Sequence, residues 1–343
     1  MAFLRSPEKL GQGSIVVVDS KTLKTTQLRL ENFSGTFTTH GIDIYTPSSD
    51  PDSVYIFAVN HLPNPAYWSP PPRTNASALE PKARSQIEIF RHELGSDSAT
   101  HIRSVWDPLV RTPNDILAIS ETEFYFTNDH YYREGTLRLV EDVGFDLTPW
   151  TDIIHVKLSG LESVKSSSEG VTASVAFKHQ NTNGIGHGAS DDEVLVGRAA
   201  AGVMVRTKRK AGSSELKSLE SIQLDSTIDN PSYFRDRYAK ETGRDASGYV
   251  LGGLLEAVKY PKEDGKDPVV VWLVQKSAGT EGKAVDDGWN KTAIFQDDGS
   301  VISSASTAVL APIDPKENDG RKQGWLFVSG PTSKATVAAR VDL

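Results

Sequence analysis

Cysteine is absent from all 343 residues. That absence excludes disulfides, thiolate nucleophiles and Cys-ligated zinc. Long apolar runs are missing too, with nothing near the ~18 residues that a membrane-spanning helix needs. The opening segment Met1–Pro7 turns polar by Arg5 and is too short to read as a secretory signal. Basic charge is in the minority, 37 Lys and Arg against 45 Asp and Glu, for a net charge of −8 and a pI near 5.6. A nucleic-acid binder would normally show a basic face, and the one basic cluster, Lys208-Arg209-Lys210, reads as a solvated hairpin tip. Two catalytic signatures are lacking as well: there is no Gly-x-Ser-x-Gly elbow and no Walker loop. The Gly11–Gly13 pair has neither the third glycine nor the following helix of a dinucleotide fingerprint.

Helical periodicity is scarce, and Thr136–Val143 and Pro231–Thr242 are its best examples. Short runs rich in Val, Ile, Tyr, Phe and Thr recur instead. Val54–Asn60, Gln86–Arg91, Glu123–Thr127, Asp152–Leu158, Gly202–Lys208, Val269–Gln275 and Gly324–Ser329 are typical, each bounded by turn residues. Many short strands at regular spacing predict a sandwich, a barrel or a propeller, and the length favours a propeller. Six four-stranded blades at roughly 40–60 residues each fit the chain. The prolines of Leu62–Ala83 exclude a central strand there, and Pro261–Pro268 and Ala278–Trp289 read as surface loops. None of these resembles a linker, so residues 1–343 are expected to form a single domain.

Three places carry hard oxygen ligands between apolar runs: Asn114-Asp115, Asn183 and Asp229-Asn230. Asn and Asp oxygens converging from distant loops suit Ca²⁺, which takes six to eight oxygens in a flexible geometry. Among the histidines, His92, His101, His155 and His179 lie in or beside ordinary strand patterns and are expected to be structural. His40, before Gly41-Ile42, and His61, ending an apolar strand, stand where a side chain can face a cleft and act as a general base. Thr127–Tyr132 reads in isolation as a polar turn.

Taken together the strings resemble the paraoxonase/arylesterase family. Thr39-His40-Gly41-Ile42, Val54–His61, Asn114-Asp115-Ile116 and Phe126–Tyr132 follow its order and spacing, with Asn183-Gly184-Ile185 and Asp229-Asn230 at its later metal positions. The resemblance covers most of the chain, is strong from His40 to Tyr132 and thins after Asn230. It implies an all-β fold, a six-bladed β-propeller with a central tunnel holding two calcium ions. Carried over by position, Asn114, Asn183, Asp229 and Asn230 resemble ligands of a catalytic calcium. Asp115 and the Ile42 carbonyl resemble ligands of a structural one. His40 resembles the family's general base and His61 the partner that orients it. The implied activity is hydrolysis of lactones and aryl esters by a His-activated water at a metal-polarised carbonyl. The implied partner is a small ester or lactone, with no nucleic acid and no transmembrane segment, on a monomer or weak oligomer.

The chain also departs from the family's pattern. An acidic Glu-Asp pair, one residue for each calcium, lies upstream of the point aligned with Met1-Ala2-Phe3, so an N-terminal segment and a first propeller strand are expected to be missing. Truncation is the reading adopted, because the other ligand positions survive. The family's C-terminal disulfide position falls at Val341, and a histidine is replaced within Leu251–Leu254. The alternative is a catalytically impaired propeller acting as a calcium-stabilised binding or scaffold protein. A third reading, carbon–carbon bond formation as in strictosidine synthase-like relatives, is opposed by the retained Asn and Asp positions. The compartment is not assigned: sequons at Asn32, Asn75 and Asn290 allow a secretory route if the native chain is longer, and the cytoplasm is expected otherwise.

Overall fold

The computed structural model describes residues 11–68, 81–144, 149–162, 165–277 and 288–343. Its contacts divide into two compact units, Met1–Thr182 and Asn183–Leu343. Both are built from antiparallel meanders, the blade sheet of a β-propeller.

In the first unit, Pro113–Ser120, Glu123–Asn128, Thr151–Leu158 and Val171–His179 pair in sequence order as one four-stranded sheet. A second sheet has five strands. Thr39–Tyr45, Ser53–Asn60, Gln86–Glu93 and Ser98–Val105 run antiparallel, and Arg29–Glu31 adds to the last of them in parallel. The facing residues form one core, in which Phe57, Ile87 and Ile89 of the five-stranded sheet meet Ile116, Phe124 and Ile154 of the other. Each large apolar side chain buried this way contributes roughly 1.5–3 kcal/mol.

The second unit repeats the plan. Thr182–His187, Glu193–Arg198, Val203–Arg209 and Leu216–Gln223 form one sheet, and Ser232–Phe234, Gly248–Leu254, Val269–Lys276 and Trp289–Asp297 form the next. A three-stranded sheet of Thr307–Pro312, Gln323–Ser329 and Val337–Asp342 follows. Val341 pairs there with Gly324. Val269–Lys276 is buried along both faces, which explains why it reads as a continuous apolar run rather than an alternating one.

Two expectations need correction. Among the described residues there are five blade sheets, not six. The N-terminal strands do not make a sixth because Val16–Val18 and Thr25–Gln27 form only a two-stranded ribbon. Its Val16 and Val17 are 49% and 39% exposed, so it has no buried face to pack as a blade. The helix expected over Pro231–Thr242 is mostly replaced by strand Ser232–Phe234, which pairs with Gly248–Val250. Only the turn Ala239–Thr242 is helical, stopped by Gly243 at φ 70. The Leu62–Ala83 segment is closed at its base by a Pro63–Ala83 bridge and holds one helical turn, Pro65–Trp68. Its Pro70, Pro71 and Pro72 lie outside the described residues, as do Met1-Ala2-Phe3, Asn75 and most of Ala278–Trp289. Helix Thr136–Val143 is found as expected. No described helix is long and apolar enough to cross a membrane.

Candidate functional site

Two breaks in strand register build the site of the first unit. Thr39–Tyr45 shifts against Ser53–Asn60 between Thr39 and Ile42, so His40 and Gly41 stand outside the ladder. Pro113–Ser120 shifts against Glu123–Asn128 between Pro113 and Ile116, freeing Asn114 and Asp115 in the same way. Such bulges re-aim side chains and recur beside active sites. The two bulges touch: a Cβ on Gly41 would lie 2.4 Å from Asp115 Cα and 2.5 Å from the Asn114 carbonyl oxygen. Only glycine allows that approach. It brings the strand bearing His40 and Ile42 against Asn114 and Asp115.

His61 is fixed by the strand before it. Its backbone N–H donates to the Thr38 carbonyl at 2.9 Å, and Asn60 accepts from Thr38 N at 2.9 Å while donating to Glu88. This pins the two chain segments so that His40 Nδ1 and His61 Nε2 lie 3.1 Å apart. The far nitrogen of His61, Nδ1, is 2.8 Å from Ser85 Oγ. Ser85 Oγ in turn accepts from Arg133 Nη2 at 2.8 Å, and Arg133 also donates to the Arg111 carbonyl. A line of contacts therefore runs His40, His61, Ser85, Arg133.

Burial holds both imidazoles neutral. It lowers the His40 pKa, against the opposing charge of Asp129. His40 retains accessible surface, yet atoms crowd its ring, and desolvation depends on the medium over several ångströms rather than on contact area. His61 is pushed down to about 3 by burial, then by His40 and Arg133. Burial alone would raise the Asp129 carboxyl, but the His130 contact, with His40 and Arg138, outweighs it and holds the group at about 2. Asp129 Oδ1 is 3.0 Å from His130 Nδ1, a charge contact whose angle does not make it a hydrogen bond. Asn114 Nδ2 reaches Asp129 Oδ2 at a long 3.4 Å.

In the second unit, Asn183 and Asp229 line one cavity of about 220 Å³. A Cβ on Gly184 would lie 2.5 Å from Asn230 Cα, 2.7 Å from Asn230 Oδ1 and 2.7 Å from the Asp229 carbonyl oxygen. Asn230 Nδ2 donates to Thr307 Oγ1 at 3.0 Å, leaving Oδ1 toward Gly184. Gly253 lines the same cavity, and a Cβ there would meet the Thr227 carbonyl oxygen at 1.8 Å. No histidine fits at that position. Among the described residues no group of three or more His, Cys, Asp or Glu side chains is arranged for a metal. The expected set is different in kind: three Asn amides, two Asp carboxylates and one backbone carbonyl. Those oxygens, gathered on glycine-lined cradles, fit the donor chemistry of calcium.

The first unit thus brings together His40, His61, Ile42, Asn114 and Asp115, and the second brings together Asn183, Asp229 and Asn230. The structure adds Asp129, Ser85 and Arg133, to which sequence reasoning assigned no role. Asp129 had a signal, an ionisable pair at the end of an apolar strand, but that string reads equally as a turn. Ser85 had none. His92, His101 and His155 are held by the Ser98 carbonyl, Glu88 and Glu123.

The arylesterase family model matches residues 75–238. Chicken (Gallus gallus) serum paraoxonase/arylesterase 2 is 24% identical over 310 residues, 89% of this chain and 73% of that protein. Its namesake from dog (Canis lupus familiaris) is 27% identical over 66% of this chain, which spans only 54% of the dog protein. Rabbit (Oryctolagus cuniculus) serum paraoxonase/lactonase 3 is 24% identical over 88% of this chain and 72% of its own length.

Proposed function

The chain belongs to the paraoxonase/arylesterase family, and from that premise we propose that it is a calcium-dependent hydrolase of lactones and aryl esters. The observation that carries the reading is the His40–His61 contact of 3.1 Å between two imidazoles kept neutral. A neutral imidazole has the lone pair that a general base needs.

The contact line gives that lone pair a place. In the proposed tautomer Ser85 Oγ accepts from both Arg133 and His61 Nδ1–H, and His61 Nε2 accepts from His40 Nδ1–H. His40 Nε2 is then unprotonated. In the proposed reaction it takes a proton from water as the water oxygen bonds to the ester carbonyl carbon. It returns the proton to the departing alkoxide, giving an acid and an alcohol. His61 holds the ring and its tautomer, and ionised Asp129 favours the imidazolium that forms in between. Asn114 in the first unit, and Asn183, Asp229 and Asn230 in the second, are the residues that would hold a catalytic calcium, and Asp115 with the Ile42 carbonyl those that would hold a structural one; a bound catalytic calcium would supply Lewis-acid stabilisation of the developing carbonyl charge.

The test is a panel of lactones and aryl esters assayed with calcium and with EDTA, beside His40→Gln. Chelation is expected to abolish turnover reversibly. His40→Gln is expected to lower kcat/KM by ~10²–10⁴-fold with calcium binding intact. A protein that binds calcium and turns over no member of the panel would defeat the hydrolase reading in favour of a binding role.

A further inference from the structure

A second cavity, about 880 Å³, opens beside this line of contacts and lies wholly in the first unit. Among the described residues its walls carry four cationic side chains and one carboxylate, Glu134. Lys82 pairs with Glu134 at 3.4 Å and cancels it. Arg111 is paired with Asp152, but its buried Nε has no hydrogen-bond partner. Among the described residues two guanidiniums have no carboxylate within ion-pair distance. Arg84 is stacked over the Trp106 ring, 4.0 Å from its centroid. Arg133 donates only to Ser85 Oγ and the Arg111 carbonyl, and burial lowers its pKa to about 10, so it stays charged at neutral pH. Asp129 and Glu134 favour that charge without touching it, which leaves the fork of donors open to a direct anion. The same walls carry the aromatic rings of Tyr67, Trp106 and Tyr132.

We propose that this cavity binds a monoanionic aromatic carboxylate, with its carboxylate on Arg133 and its ring on the Trp106 and Tyr132 side. The planar guanidinium fork of Arg133 matches a carboxylate in bidentate fashion. Asp129 and Glu134 act on the half-buried Arg133 guanidinium only from beyond ion-pair distance, so its fork has room for one directly bound negative charge, whereas a dianionic phosphate would carry a second charge out of water unmatched. Aromatic walls with a few convergent polar groups are the usual make-up of a small-molecule site, and the volume is in the usual range. The ligand position is one side chain from the histidine pair, since Ser85 Oγ lies 2.8 Å from both Arg133 Nη2 and His61 Nδ1. The inference needs no turnover and stands apart from the hydrolase reading.

The experiment is calorimetric titration of the full chain with 3-phenylpropionate, its neutral amide, phenyl phosphate and inorganic phosphate, none of which is an ester of a carboxylic acid. Saturable binding of the carboxylate is expected, weakened by salt, with the amide binding at least about tenfold less tightly. Arg133→Gln should weaken binding by roughly ten- to a hundredfold, as expected for loss of a charged hydrogen-bond partner. Arg84→Gln and Trp106→Ala should each weaken it severalfold. If Arg133→Gln does not fold, Arg84→Gln, Trp106→Ala and the amide carry the test. Equal binding of amide and carboxylate, tighter binding of either phosphate, or wild-type affinity in the folded variants would overturn the proposal. An inactive protein that binds the carboxylate would sink only the hydrolase reading, and an active one that ignores it would sink only this inference.

Discussion

His61 is the residue on which acid stability should turn. Its folded pKa is lowered from 6.5 to about 3, first by burial and then by His40 and Arg133. Between those values the unfolded chain binds a proton that the folded chain refuses. The stability from burying this ring neutral is therefore present above pH 6.5 and lost as pH falls toward 3. Thermal melts at successive pH values from 7 to 4 should show a steeper decline for the wild type than for His61→Gln. Parallel curves would mean that other groups set the acid limit. Sequence showed His40 and His61 at strand ends, because position beside a loop is a local property. It did not show Ser85 or Arg133, which matter only through contacts made in the folded chain: Arg133 lies 48 residues from Ser85.

At the level of the elements, bulges rather than loops present the first unit's candidate ligands. Asn114-Asp115 and His40-Gly41 are extra residues on two strands that meet at Gly41. A methyl group at Gly41 would have to push the Asn114–Asp115 backbone away. Gly41→Ala should therefore destabilise by about 1–3 kcal/mol, the usual cost of overpacking, and should weaken calcium binding as Asn114 and Asp115 are displaced. Gly160, where an added Cβ meets nothing within 4 Å, is the control and should change stability by less than ~0.5 kcal/mol. Urea midpoints of the two variants decide the matter, and equal midpoints would show that the strands can part freely. Strand patterns such as Val54–Asn60 and Val269–Gln275 were legible because apolar runs bounded by turn residues are local signals. The register shifts were not, since a bulge is defined against a partner strand. The same reason explains Pro231–Thr242, where pairing with Gly248–Val250 overrides a weak helical period.

For the molecule as a whole, the all-β plan follows from strand spacing, but the number of blades does not. Blade count depends on where the N-terminal strands pair, and Arg29–Glu31 chooses the far edge of a sheet whose partner strand begins at Ser98. Each unit keeps its own apolar cores, and what a bound ion adds to stability is read from linkage. An ion that binds only the folded chain stabilises it by RT ln(1 + [L]/Kd), about 2.7 kcal/mol at a hundredfold excess over Kd. Calcium should accordingly raise Tm in a concentration-dependent way that EDTA reverses. Asn114→Ala in one unit and Asn183→Ala in the other should each reduce that increment, while magnesium, which demands a tighter octahedral shell, should not replace calcium. Differential scanning calorimetry over a calcium series measures all of these on the intact chain. An increment untouched by Asn183→Ala would remove the second unit's residues from calcium binding, and a Tm indifferent to calcium would remove calcium binding altogether.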